Sequence, residues 1–205
     1  MKNTIFSTLV LVSTLSACSD FESSEHHNPE LSPTVEQTTD YALFDVSSGN
    51  SVDLQESAYV MDLEPLGLAV YEIDPRTEVE ADPQWAGYDN KISLERLKDL
   101  DMDNSQLWYE LSSQRGLVVG YVGAAPENML ALSADIGHKV MAFQESDGAI
   151  YESELVKGIV ESLEEEVDYI YVPVAKADAP DTLLKAVDLA EEEGVRIFDR
   201  MGTQF

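Results

Sequence analysis

The chain has 205 residues, of which 12 are Lys or Arg and 40 are Asp or Glu, so its formal net charge at pH 7 is −28. Hydrophobic residues make up 44%, which excludes a disordered chain and predicts a domain of ordinary size with its own core. The charge excludes nucleic acid as a partner, because binding a phosphate backbone requires basic residues that replace its counterions.

The first residues of the chain have the pattern of an export signal. Lys2 makes the start positively charged, and an apolar run follows from about residue 5 to residue 15. This run is shorter than the roughly 20 residues of a membrane-spanning helix and suits a secretory signal. It closes on Leu15-Ser16-Ala17-Cys18, and Cys18 is the single cysteine of the chain.

Small residues before a lone Cys resemble the lipobox of bacterial lipoproteins. The resemblance implies a signal peptide over 1–17, cleavage before Cys18, and acyl chains such as palmitate on that residue, which anchor the protein to a membrane. Ser19 stands where Asp would favour retention in the inner membrane, so we expect the outer membrane. An ordinary signal peptide with an incidental Cys is the alternative.

Residues 18–40 predict a disordered, acidic tether. From residue 19 onward this segment has six acidic residues, two prolines and no Lys or Arg, which is too polar to fold alone. His26 and His27 could bind a transition metal, but a tether holds no fixed ligand geometry, and we interpret them as part of a solvated linker. The folded domain is therefore expected over 41–205.

The first part of this domain predicts strands, in the apolar and aromatic segments 42–46, 58–63 and 66–73. Residues 92–100 predict a short helix. In the last third, 139–143, 168–174 and 195–198 predict strands, whereas 152–166 and 179–193 carry the helical period. This alternation predicts an α/β fold with a doubly wound parallel sheet.

The segment 139–198 resembles the central part of subtilisin-like serine peptidases, the subtilases. Order and spacing match at several short steps: Lys139-Val140, Gly148, Lys157-Gly158-Ile159, Asp168-Tyr169-Ile170, Ala179-Pro180, Ala186–Ala190, Gly194-Val195 and Gly202-Thr203. The resemblance implies a subtilisin-like arrangement of the doubly wound sheet and a serine-type endopeptidase as the ancestral activity.

The positions that carry catalysis in this family hold other residues here. The family's V-A-V-x-D-T-G strand matches the chain best at 68–74, where Glu72 stands for the catalytic Asp. Val118 occupies the position of the catalytic His, Thr203 that of the oxyanion Asn, and the G-T-S-M segment of the nucleophile has no counterpart before Phe205. Because serine catalysis requires an imidazole base and an oxyanion hole, the resemblance implies an inactive, shortened relative.

Ser133, Asp135 and His138 lie within six residues of one another and are the other conceivable serine triad. No nucleophile-elbow motif surrounds Ser133, and triads are assembled from distant segments, so we interpret this proximity as chance.

Residues 99–110 have the spacing of an EF-hand loop. Asp99, Asp101, Asp103, Ser105 and Glu110 occupy positions 1, 3, 5, 7 and 12, where oxygen ligands converge on calcium. Asn104 replaces the turn glycine, and no second loop pairs with this one. In a chain this acidic, such a spacing of acidic residues also arises by chance. A calcium site and a solvated acidic turn both remain open.

Three functions follow from these observations. The favoured one is a lipid-anchored envelope protein whose degenerate subtilase-like domain acts in binding or in an accessory role, with an unidentified protein or peptide as its partner. The alternatives are an active serine endopeptidase and a calcium-binding surface module.

Overall fold

The computed structural model describes residues 40–49, 58–74, 76, 78–94, 99–146 and 148–205. These residues belong to one compact unit, Thr38–Phe205. The predicted signal peptide, the lipidation site Cys18, and the tether with His26 and His27 lie outside the described residues, except for Asp40 at the tether's end.

The first four strands form an antiparallel sheet in the order β2-β3-β1-β4. They are β1 (Asp40–Asp45), β2 (Ala58–Leu63), β3 (Leu68–Ile73) and β4 (Trp85–Tyr88). Successive residues of β1 point to opposite faces, so Leu43 packs into one hydrophobic cluster while Ala42 and Phe44 pack into another. The three predicted strands of this region are confirmed, with ends shifted by one or two residues.

A small two-stranded sheet connects the first part of the chain to the second. Strand β5 (Lys91–Ser93) pairs antiparallel with β8 (Ala149–Tyr151), and the N–H of Leu94 donates to the Gly148 carbonyl at 2.9 Å. The predicted helix over 92–100 is therefore wrong at its beginning, since Ile92 is a strand residue paired with Ile150. The partner strand is distant in sequence, and its hydrogen bonds override the local pattern.

The second part of the chain contains a four-stranded parallel sheet in the order β10-β9-β6-β7. Its strands are β6 (Val118–Val122), β7 (Lys139–Phe143), β9 (Tyr169–Tyr171) and β10 (Arg196–Phe198). The helices are α1 (Gln106–Ser113), α2 (Glu127–Ile136), α3 (Glu152–Glu164) and α4 (Asp181–Glu192). The predicted strands 139–143, 168–174 and 195–198 and the helices 152–166 and 179–193 all correspond to these elements, although β9 is shorter than predicted.

Helices cover both faces of the parallel sheet. Leu107 of α1 and Met129 of α2 pack with Tyr169 and Tyr171 of β9 in one cluster. On the other face, residues of α3 and α4 pack with Ile170. Since neighbouring residues of a strand point to opposite faces, the sheet is doubly wound, as the sequence predicts.

The antiparallel sheet shares the core of the α3 and α4 face. Leu43 and Val70 from that sheet belong to the same buried cluster as Leu155 and Ile159 of α3. Within the described ranges, no helix is long and apolar enough to cross a membrane.

Candidate functional site

The carboxyl ends of the parallel strands are where doubly wound folds place ligands, especially where the strand order reverses. Here the order reverses between β6 and β9. The gap between the loops that follow these strands is occupied by Leu94, which is 5% exposed. A Cβ atom built on Gly123 would lie 3.0 Å from Leu94 Cδ1 and 3.3 Å from Pro173 Cγ, so the usual ligand crevice is filled by the protein itself.

An open cleft lies beside this filled crevice, where β6 and β7 end. It has a volume of about 340 Å³. The residues that line it come from β6, the two loops after β6 and β7, and helix α2: Tyr121, Gly123, Ala124, Ala125, Leu130, Glu145 and Ser146. One wall is therefore apolar, and a carboxylate and a phenol stand among the remaining groups.

Tyr121 and Glu145 form the polar part of the cleft. The Tyr121 hydroxyl donates a hydrogen bond to Glu145 Oε1 at 2.5 Å. Burial, followed by the hydrogen bond and charge of Glu145, raises the pKa of Tyr121 to about 12. At neutral pH the phenol is therefore a protonated donor, and Glu145 keeps its second oxygen for another partner.

The loop after β7 holds Glu145 in position. Gln144 has a φ of 47°, a left-handed conformation that is uncommon for a residue with a side chain. Its amide donates to Glu161 Oε2 of α3 at 2.8 Å. The N–H of Ser146 donates to the Gly123 carbonyl at 3.2 Å, so the loops after β6 and β7 are joined directly beneath the cleft.

The described lining of the cleft offers one hydroxyl nucleophile and one carboxylate. None of the described lining residues is a His, and Ser146 Oγ donates a hydrogen bond to the Ala149 carbonyl. Activation of a serine needs a base within hydrogen-bond reach, and the cleft lining supplies an exposed carboxylate that already accepts from Tyr121. A carboxylate beside apolar walls can orient a ligand.

The structure does not bring together Glu72, Val118 and Thr203. Glu72 lies in β3 of the antiparallel sheet, opposite Tyr41. Val118 is the first residue of β6, at the amino edge of the parallel sheet, where its N–H donates to Asp168 Oδ2 at 2.7 Å. Thr203 follows the carboxyl end of β10, and its N–H donates to Asp199 Oδ1 at 2.9 Å. The match of 68–74 to the first strand of a parallel sheet is thus wrong in this structure, because β3 pairs antiparallel on both sides.

The side chains of Ser133, Asp135 and His138 are not arranged as a triad. His138 Nδ1 accepts from the N–H of Leu117 at 3.2 Å, and its Nε2 lies 2.9 Å from the Leu111 carbonyl oxygen. Both ring nitrogens therefore bind backbone groups and fasten β6 and α1 to each other. The buried Ser133 hydroxyl has no hydrogen-bond partner among the described residues, and Asp135 is exposed.

The first four ligand residues of the predicted calcium loop lie in two environments, exposed and buried, and the fifth, Glu110, lies in another part of the structure. Asp99, Asp101 and Asp103 are exposed, and the Asn104 amide and Asp103 N–H hold the pKa of Asp101 below its ordinary value. Ser105 is buried and caps α1 by accepting from the Trp108 N–H at 3.1 Å.

The twelfth position, Glu110, belongs to a separate network at the amino edge of the parallel sheet. Its Oε1 accepts from Arg196 Nη1 at 2.8 Å, and this bond holds the pKa of Glu110 below its usual range. The Arg196 guanidinium also lies over the Tyr169 ring, 4.5 Å from its centroid. Among the described residues, no three His, Cys, Asp or Glu side chains are grouped as for a metal ion. The calcium site stays a prediction.

Two buried acidic side chains, Asp89 and Glu152, lie at the amino end of α3. Asp89 is buried and accepts from the Ser153 N–H at 2.9 Å and from its hydroxyl at 2.6 Å. Glu152 is buried beside it. Burial raises the pKa of both carboxyl groups, and their mutual repulsion adds to this for Glu152. These groups hold α3 against the chain between β4 and β5, where Asn90 O accepts from the Glu152 N–H at 3.0 Å.

Sequence reasoning did not identify Tyr121 and Glu145. The signal was available for Glu145, since the polar run Gln144-Glu145-Ser146 comes directly after a strand that the sequence does predict. Tyr121 lies in a run of β-branched and aromatic residues, 118–122, which is typical of a strand. The resemblance to the histidine motif covers 115–120 and gives Tyr121 no role.

The described part of the chain thus presents one open, mixed apolar and acidic cleft at the carboxyl edge of a doubly wound sheet. In comparisons with known proteins, the chain matches no protein-family model and no curated sequence.

Proposed function

We propose that this chain is a lipid-anchored protein of the bacterial cell envelope whose domain, residues 41–205, binds a ligand without hydrolysing it. The observation that carries this proposal is the open cleft lined by Tyr121 and Glu145, which lies at the carboxyl ends of β6 and β7 and whose described lining has no nucleophile–base pair.

The anchor rests on the sequence. The apolar run, the small residues before Cys18, and the polar segment after it fit an acylated N-terminus on a tether that reaches the folded domain. Ser19 favours the outer membrane. Acyl chains supply the membrane attachment, so the acidic domain itself needs no affinity for an anionic surface.

A degenerate subtilase-like domain remains the evolutionary part of the proposal. The segment that carries the resemblance contains β7, α3, β9, α4 and β10 in alternation, with the short strand β8 between β7 and α3. This alternation supports the resemblance over 139–198, whereas the separate positions of Glu72, Val118 and Thr203 do not support it for the rest of the domain.

Two measurements on the full-length chain in detergent test the proposal. A fluorophosphonate probe should leave the chain unlabelled, and labelling that disappears on Ser133→Ala or Ser146→Ala would establish the serine hydrolase alternative. Backbone amide spectra recorded with blocked amino acids of each chemical class should show shifts at Tyr121, Ala124 and Glu145. Shifts confined to other surfaces would refute the assignment of the cleft.

A further inference from the structure

We propose that the ligand of the cleft is the side chain of a lysine in a peptide segment, with its ammonium group on Glu145 and its methylenes along the apolar wall. This inference rests on the proposed function and adds the chemical class of the ligand. Four features of the cleft support it: an accepting carboxylate, the oxygen of that carboxylate that Tyr121 leaves available, the apolar wall, and the charge of the chain.

Glu145 is an exposed carboxylate that lies at the side of the cleft. The ion pairs within the described residues join Lys157 to Glu161 and Arg196 to Glu110, and neither involves Glu145. Its described partner is the neutral Tyr121 hydroxyl. A cation that enters the cleft therefore meets a carboxylate whose position is already fixed by the phenol and by the Gln144 turn.

The geometry favours an ammonium group over a guanidinium group. Arginine binds a carboxylate best through two parallel bonds that use both oxygens. Tyr121 already donates to Glu145 Oε1, so this oxygen is a weaker acceptor for a second donor, and Oε2 is the stronger one. An ammonium group is a compact charge that needs a single strong acceptor, so the cleft fits lysine better than arginine.

The apolar wall suits the methylenes of a lysine side chain. Leu130 of α2 is 37% exposed, and it lines the cleft together with Ala124, Ala125 and the ring of Tyr121. Lysine commonly places its methylenes on apolar surface while its charged end reaches a polar group. The volume of about 340 Å³ is at the small end for ligand sites, which fits one side chain and not a folded partner.

The charge of the chain favours a basic ligand at long range. A formal charge of −28 attracts cationic segments and raises their rate of encounter. This attraction is not specific to the cleft, so the test needs a control that removes an equal charge elsewhere. Glu165, which is exposed after the end of α3, provides one.

The test measures binding of blocked Ala-Lys-Ala by shifts of backbone amides in the full-length chain, with norleucine and arginine peptides of the same length as comparisons. We expect the lysine peptide to shift Tyr121, Ala124 and Glu145 and to bind about threefold to fivefold more tightly than the norleucine peptide. Glu145→Gln should weaken lysine binding by about the same factor, whereas Glu165→Gln should change it less than about twofold. Tyr121→Phe should reduce the ratio of lysine affinity to arginine affinity, because it removes the hydrogen bond that weakens Oε1 as an acceptor.

Several results would overturn the inference. Equal binding of the lysine and norleucine peptides would show that the cleft recognises apolar side chains, leaving the proposed binding function intact. Equal weakening by Glu145→Gln and Glu165→Gln would reduce the effect to overall charge. Butylamine binding as tightly as the peptide would identify a free alkylamine as the occupant. Absence of any shift in the cleft with every probe would refute both the inference and the proposed function.

Discussion

Replacing Gly158 by Ala should have two opposite effects on the free energy of unfolding: a gain in helix propensity and a steric cost of packing against β6. Gly158 lies inside α3, where Ala is favoured over Gly by about 0.5–1 kcal/mol. A Cβ at this position would lie 2.5 Å from Val122 Cγ1 and 3.1 Å from its Cγ2. Carbon atoms in contact prefer about 3.5–4.0 Å, so α3 would have to move roughly 1 Å from β6, or the side chain of Val122 would have to leave its rotamer.

We expect the steric cost to exceed the helical gain. Overpacking a well-filled core typically costs about 1–3 kcal/mol, and Val122 is fully buried, with no exposed space to move into. Gly158→Ala should therefore lower the free energy of unfolding by about 1–2 kcal/mol, which for a domain of this size lowers the melting temperature by about 2–8 °C. Thermal unfolding of the full-length chain followed by circular dichroism measures this directly.

A matched pair of variants in the same helix isolates the intrinsic preference. Glu161→Ala and Glu161→Gly both remove the carboxylate that pairs with Lys157, so the difference between them reports the helical advantage of Ala over Gly in α3. If that difference is about 1 kcal/mol and Gly158→Ala still melts at or above the parent temperature, the reasoning about close packing against Val122 is refuted.

The remaining predictions concern the anchor and the charged groups. Cys18→Ala should abolish incorporation of labelled palmitate and release the chain from the membrane fraction; retention of the label would contradict the lipobox. Arg196→Met should cost about 1–2 kcal/mol in urea unfolding, since it removes the pair with Glu110 and the contact with the Tyr169 ring, and the double variant with Glu110→Gln should cost less than the sum. The raised pKa values of Asp89 and Glu152 mean that the folded chain holds these protons more tightly than the unfolded chain. Their contribution to the free energy of unfolding is therefore fully present below the pKa values of the unfolded chain, near pH 4, and is lost as pH rises through the pKa values of the folded chain. The double variant Asp89→Asn with Glu152→Gln should reduce this fall of the unfolding free energy with pH. Finally, the melting temperature should rise from low to molar NaCl because salt screens the net charge, and a constant value would contradict this.

The sequence predicts the elements whose pattern is long and regular. In α3 the residues Val156 and Ile159 repeat at helical spacing and are fully buried, because one face of the helix packs against the sheet. Strands β7 and β10 are short apolar runs between clear boundaries. Their parallel pairing follows from the helices between them, so the doubly wound class is predictable without coordinates.

Elements stabilised by distant partners are not predictable in this way. Ile92 lies in a segment with mixed helical spacing, yet it pairs with Ile150, which is far along the chain. Helix α2 was not predicted because buried Ser133 and exposed Leu130 blur its apolar stripe.

The candidate site depends on features that a linear pattern does not contain. Glu145 can be placed at the end of a strand from the sequence. Its contact with Tyr121 requires knowing that β6 and β7 are neighbours. Leu94, which follows β5, fills the adjacent crevice through tertiary contacts, and its sequence position does not predict them.

The hydrophobic core that the antiparallel sheet shares with α3 has a consequence for the order in which the domain can assemble. Leu43 and Val70 of the antiparallel sheet share their core with Leu155 of α3, so strands made early in synthesis have no complete hydrophobic partner until α3 is present. Such contacts join residues far apart in sequence and delay folding. The domain therefore cannot complete this core until most of its length is available.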